Sequence, residues 1–115
     1  MTRMWMVNPK IMCKKHIIGE HGELHVIAAN INKKRSIKGY LEKGLIEPAS
    51  IHERHRELVK EMLRRGYNHN SDMPDIDFSN LDTVEFNTDV DENIAIIDLI
   101  SRCDSCRKRY ERFKK

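Results

Sequence analysis

The chain has 115 residues, enough for one domain, with 39% hydrophobic and 34% charged residues and a formal net charge of +3. At 13.6 kDa and a mean hydropathy of −0.66 it can bury a core without disulfides or metal, and it has no apolar run near the roughly 20 residues of a membrane span. An odd number of cysteines and no apolar leader argue against a secreted disulfide framework, so a reducing, cytoplasmic single domain over 1–115 is expected.

Asn8-Pro9 is a helix-start signal, with Asn suited to the N-cap and Pro to the first helical position. Apolar residues then recur at helical spacing through Ile11, Met12, Ile17, Ile18, Leu24, Ile27, Ala28 and Ile31. One long helix over 9–32 is predicted, kinked near Gly22, since Gly19 and Gly22 each cost about 1 kcal/mol relative to Ala. Those glycines leave open close packing, a local break or the approach of a ligand. Lys33-Lys34-Arg35 reads as an exposed basic turn, and 36–43 as a short helix closed by Gly44. Ser50 and Glu53 have capping-box spacing, opening a helix with Ile51, His55, Leu58, Val59, Met62 and Leu63 on one face. Gly66 ends it, after Arg64 and Arg65. Residues 67–88 show no steady period and read as irregular loop. Asp89 or Asp91 caps a last helix to about Phe113, with Ile94, Ile96, Ile97, Leu99 and Ile100 as its apolar positions. No strand alternation occurs, so the expected fold class is all-α: a single compact domain of three main helices, a short helix and a long irregular loop.

The charge is segregated. Residues 1–65 carry a net +7, residues 66–101 carry nine acidic and no basic residues, and residues 102–115 carry +5. Segregation of this kind fits a polyanion partner, or acidic and basic stretches that face each other.

Thr2 follows the initiator Met, whose removal leaves a free α-amine, a group that ordinarily titrates at about 7.7–8.0. Such an amine is partly neutral at neutral pH and can attack an electrophilic carbon. His16, Glu20 and Glu23 share one helical face at i, i+4 and i+7, and His21 and His25 form a neighbouring i,i+4 pair. A carboxylate among imidazoles can act as general acid or electrostatic stabiliser; it can equally be a satisfied polar face. The spacing admits a metal but is not the H-E-x-x-H motif. Cys103-Asp104-Ser105-Cys106 has only Cys13 and histidines to complete a four-ligand set, so its thiols are expected to be unligated and no metal or cofactor is expected. His55 reads as a core histidine, Trp5 as a core anchor, and His69, just past a helix end, as a candidate to reach the active face.

Thr2-Arg3, His16, Glu20 and Glu23-Leu24, with Arg56-Glu57-Leu58 and Arg64-Arg65-Gly66-Tyr67-Asn68 further on, resemble the phage pyrimidine-dimer DNA glycosylases of the endonuclease V type. The likeness is ungapped over 1–24 and covers about half the chain. The run from Met4 to Lys10, and that from Arg65 through His69 to Ser71, is similar to a widespread branch of the same family. The resemblance implies that the Thr2 amine attacks C1′ of the damaged nucleotide and forms an imine. β-Elimination then cuts the strand on the 3′ side. It makes Glu23 the essential carboxylate and uses no metal or organic cofactor. Arg3 and His16 would line the site near the phosphates.

Two family arginines that grip DNA fall at Gly22 and Val26, and the aromatic-rich C-terminal segment has no counterpart. The chain ends instead in a basic tail carrying Arg107, Arg109, Tyr110 and Phe113. The expected DNA-facing set is therefore Arg3, His16, Glu20, His21, His25, Lys33, Lys34, Arg35, Arg64, Arg65, His69, Arg107 and Arg109. The expected enzyme is a DNA N-glycosylase with AP lyase activity. Its expected partner is double-stranded DNA carrying a lesion or modified base, and the expectation is a monomer, off the membrane, from a phage or bacterium. Two other readings stand beside it: a metal-dependent nuclease using His16, Glu20, Glu23 and His69, and a non-catalytic DNA-binding module.

Overall fold

The computed structural model describes residues 2–69 and 72–114; Met1, and the Asn70-Ser71 end of the motif that begins at Arg65, lie outside the described residues. The regular structure among the described residues is all helical, without strands: α1 (Lys14–Asn32), α2 (Lys38–Glu42), α3 (Ile51–Arg64), α4 (Thr83–Phe86), α5 (Glu92–Arg102) and α6 (Asp104–Lys114). The all-α class holds, with more and shorter helices than the periodicity indicated.

Asn8 does cap a helical start, its side chain accepting from the Lys10 amide at 3.0 Å. That start is only a 3-10 turn, Pro9–Ile11. Met12 and Cys13 are both extended, and α1 begins after them. The break turns the Cys13 amide onto the Cys106 sulfur at 3.2 Å, an interaction across 93 residues that local periodicity does not encode. From there α1 runs unbroken through Gly19 and Gly22. Nothing lies within 4 Å of a Cβ at either glycine, so neither close packing nor a kink accounts for them. Lys34, with φ of 59°, closes α1 in the left-handed region, a role more often taken by glycine. Gly44 (φ 68°) and Gly66 (φ 82°) perform it after α2 and α3.

The Ser50–Glu53 capping box does not form. Pro48–Ser50 is a 3-10 turn that runs straight into α3, and the Ser50 hydroxyl donates to Glu47 instead. A complete capping box appears in the stretch read as loop, where Asp82 and Glu85 open α4. The buried face of α3 contains Ile51, His55, Leu58 and Met62 as expected, but also Arg54 and Glu61, while Leu63 is exposed. Asp91 caps α5, accepting from the Ile94 amide at 3.0 Å. The long last helix is two helices, because Cys103 is extended between α5 and α6. Of α5, Ala95 and Leu99 face the core, leaving Ile94 and Ile97 outside.

The core is built around the N-terminal segment. Met4, Val7, Met12, Ile17, Leu24, Ile46, Ile51, Leu58 and Leu99 are buried together. The Met4 amide donates to the Leu45 carbonyl at 2.7 Å, threading residues 3–7 between helices. This threading positions Thr2. α1 packs on α3, and α6 packs on both α5 and the Pro9–Ile11 turn.

Candidate active site

A cavity of about 300 Å³ opens beside the N-terminal thread, lined by Arg3, Trp5, Lys15, His16, Gly19, Glu20, Glu23 and Arg102. α1 supplies one wall through residues 15, 16, 19, 20 and 23, one face of the helix. Gly19 places no side chain between His16 and Glu23, so the wall is open there.

The Arg3 amide donates to Glu23 Oε2 at 2.8 Å. The Thr2 nitrogen is three covalent bonds from that amide, so it lies no more than about 6.5 Å from the carboxylate. The Arg3 side chain is buried. Its guanidinium lies 3.8 Å over the Trp5 ring and donates to Asp98 of α5 at 2.9 Å. Burial holds this guanidinium below its usual range, with Asp98 opposing. Arg3 Nε is buried without a hydrogen-bond partner among the described residues.

Glu20 lines the same cavity but serves the fold. Arg54 grips both its oxygens, at 2.6 and 2.9 Å, and the two side chains are 0% and 1% exposed. Arg54 also donates to the Val7 carbonyl at 2.7 Å and to Glu57. Glu20 is thus removed from the DNA-facing set. Among the described residues Glu23 has no ion-pair partner and is the free carboxylate of the cavity.

His16 sits at the rim with its ring edge against Trp5, 5.9 Å between centroids. Its Nδ1 faces sulfur: 3.2 Å from Cys13 Sγ and 3.6 Å from Cys106 Sγ. Burial and then Lys15 push its pKa down. Cys13 and Cys103 sulfurs stand 3.8 Å apart. Burial pushes the Cys106 thiol up to about 12.

His69 does not join His16. Its Nε2 lies 3.0 Å from His21 Nε2, which lies 3.1 Å from His55 Nε2. His25 packs against His21 and His55, at 5.0 and 5.3 Å between ring centroids. Burial and the other three imidazoles lower the His21 pKa to about 4. The nuclease constellation of His16, Glu20, Glu23 and His69 is therefore not assembled. His21, His55 and His69 could together offer nitrogen ligands to a metal, as could Cys13, His16, Cys103 and Cys106 their sulfur and nitrogen.

Several basic residues expected on DNA are engaged within the protein. Arg64 and Arg65 both hold Glu61, at 2.6 and 2.7 Å, and Arg65 also donates to the Pro9 carbonyl. The Arg64 hydrogen bond, with Arg65 assisting, lowers the Glu61 pKa to about 2. Arg107 bridges Asp104 and Glu111 on the exposed face of its own helix. Lys33, Lys34 and Arg35 are exposed, but the acidic loop is tied beside them. Asn32 donates to the Asp75 carbonyl at 2.9 Å and accepts from the Asp77 amide at 2.8 Å. Arg109 donates to the Lys10 carbonyl at 3.1 Å, and with Lys10, Arg112 and Phe113 it forms a second concavity of about 330 Å³. Sequence reasoning missed Lys15 and Arg102 at the cavity. Lys15 was legible as the neighbour of His16; Arg102 and Asp98 are brought there only by tertiary packing. A groove of about 560 Å³ along Asn8–Lys10 and α3 is larger, yet it contains neither Arg3 nor Glu23.

Residues 2–75 match the family model described as pyrimidine dimer DNA glycosylase. That span runs from the N-terminal thread through α1, α2 and α3 to the acidic loop, and so includes Arg3, His16 and Glu23. Neither the curated proteins nor the solved structures contain a match to this chain.

Proposed function

The chain belongs to the pyrimidine dimer DNA glycosylase family, and from that premise we propose that the Thr2 amine and the Glu23 carboxylate perform glycosylase and AP lyase chemistry in the cavity beside α1. The observation that carries this reading is the 2.8 Å hydrogen bond from the Arg3 amide to Glu23, which holds the residue bearing the amine next to the free carboxylate.

Once Met1 is removed, the lone pair of the Thr2 amine attacks C1′ of the damaged pyrimidine nucleotide. The N-glycosidic bond breaks, and its electron pair leaves on the base, which takes up a proton. The nitrogen loses a proton, the C1′–O4′ bond opens with proton uptake on O4′, and an iminium to C1′ remains. Loss of a C2′ proton then drives electrons into a C2′–C3′ double bond and expels the 3′ phosphate. Glu23 stabilises the cationic species and takes part in these proton transfers. Lys15 supplies positive charge for the flanking phosphates, with Arg102, which also pairs with Asp98 at 2.7 Å, beside it. The target nucleotide must leave the stack to expose C1′.

Borohydride reduction during reaction with duplex containing an abasic site or a pyrimidine dimer should trap a covalent adduct on Thr2. Glu23→Gln should slow turnover by about 100-fold or more. A retained N-terminal extension should abolish the adduct. Full activity in the extended protein, or in Glu23→Gln, would overturn the assignment.

A further inference from the structure

We propose that Cys13, His16, Cys103 and Cys106 form a closed four-ligand zinc site that fastens α5 and α6 to the start of α1. Their ligand atoms all lie within 4.8 Å of one another. Tetrahedral zinc with Zn–S near 2.3 Å and Zn–N near 2.0 Å sets its ligands about 3.8 Å (S to S) and about 3.5 Å (S to N) apart. The separations here are 3.8 Å for Cys13 to Cys103, 3.2 Å for Cys13 to His16 and 3.6 Å for Cys106 to His16.

The backbone prepares this arrangement twice. Cys13 is the extended residue preceding α1, and His16 is the third residue of that helix. Cys103 is the extended residue preceding α6, and Cys106 is the third residue of that helix. The N-cap and third-residue side chains of a helix meet over its first turn, the geometry of a capping box. Here two such pairs face each other, so C-x-x-H and C-x-x-C converge from opposite ends of the chain. The Cys106 amide points at Cys103 Sγ (3.5 Å) and the Cys13 amide at Cys106 Sγ (3.2 Å). Such donors orient metal-bound thiolates and offset their charge.

A disulfide does not account for the cluster. The Cys13 and Cys103 sulfurs are 3.8 Å apart, against about 2.05 Å for a bond, and all three cysteines are free. A site closed by four protein ligands is structural and leaves no position for substrate. This departs from the expectation of unligated thiols, which named Cys13 and the histidines as the available further ligands but had no spacing that brought them to Cys103-x-x-Cys106. Ligation through Nδ1 would fix the His16 ring at the rim of the Glu23 cavity.

The test is metal content and spectroscopy, readouts independent of glycosylase activity. Untagged protein from zinc-supplemented cells should contain about one zinc per chain. Replacing zinc with Co²⁺ should produce thiolate-to-cobalt charge transfer and the intense visible bands of a tetrahedral centre. Cys103→Ser and His16→Ala should each lose most of the metal or shift the cobalt bands. Chelation of the wild type should lower the melting temperature, and zinc should restore it; this arm stands even if a variant fails to fold. Folded wild type that takes up no Co²⁺ with thiolate bands would overturn the proposal. So would unchanged cobalt spectra in both variants, or a disulfide within the cluster under reducing conditions.

Discussion

Glu20 and Glu23 stand one turn apart on α1, line the same cavity and are the same residue type, yet their surroundings assign them opposite work. Glu20 is buried in a two-pronged ion pair with Arg54, and removing one partner strands a desolvated charge. Glu20→Gln is therefore expected to destabilise the protein by about 3–5 kcal/mol. Glu23 is half-buried and accepts one backbone hydrogen bond, so Glu23→Gln should cost no more than about 1 kcal/mol while slowing catalysis. Thermal melts of the two variants separate these roles. A Glu20→Gln protein as stable as wild type would mean that the Arg54 pair does not hold α1 to α3. The i, i+4, i+7 spacing made the shared face legible in the sequence. Which carboxylate was paired was not, because Arg54 is 34 residues away and reads locally as a solvated helix position.

At the scale of elements, several single-residue signals worked. Asn8 and Asp91 cap as their types suggest, and Gly44 and Gly66 close helices. The signals failed where a competing partner intervened, near or far. Ser50 spends its hydroxyl on Glu47 three residues back, and the extended residues Cys13 and Cys103 interrupt helical periodicity to bring sulfur to sulfur across 90 residues. The junction of α1, α3 and the segment after α3 is likewise tertiary, made by His21, His25, His55 and His69. The folded protein keeps His21 neutral to about pH 4, because burial and three facing imidazoles oppose its charge. An unfolded chain protonates it near 6.5. Between those values the unfolded state binds more protons, so this junction loses stability as pH falls from about 6.5 to about 4. Melting temperature should drop across that window, and His21→Gln should flatten the slope. An unaltered slope in His21→Gln would place the acid sensitivity elsewhere.

The charge map of the whole molecule now distinguishes two basic regions that looked equivalent as sequence. The turn at Lys33–Arg35 has the exposed acidic segment around Asp75 and Asp77 tied next to it through Asn32. Hydrogen bonds from Ser79, and in smaller part the charge of Lys34, hold the Asp77 carboxyl below its usual range. Acidic and basic stretches therefore do face each other at that end. On the side where α6 crosses the Pro9–Ile11 turn, positive charge is concentrated. Burial first, and then the neighbouring charges of Arg65 and Arg112, hold the Arg109 guanidinium below its usual range. Lys10, Arg109 and Arg112 share a concavity there, and Lys15 and Arg102 stand at the Glu23 cavity. The Cys13–Cys106 contact joins the start of α1 to the start of α6. A duplex whose damaged nucleotide enters the Glu23 cavity would thus track across α6 rather than toward the Lys33–Arg35 turn. Each phosphate contact contributes about 0.9 to the slope of log K against log salt concentration. Triple alanine replacement of Lys10, Arg109 and Arg112 should lower the magnitude of that slope by up to roughly 2.7, measured by duplex binding across a KCl series. The same replacement at Lys33, Lys34 and Arg35 should change it by less than about 1, and the reverse ranking would move the DNA path to the opposite end of α1.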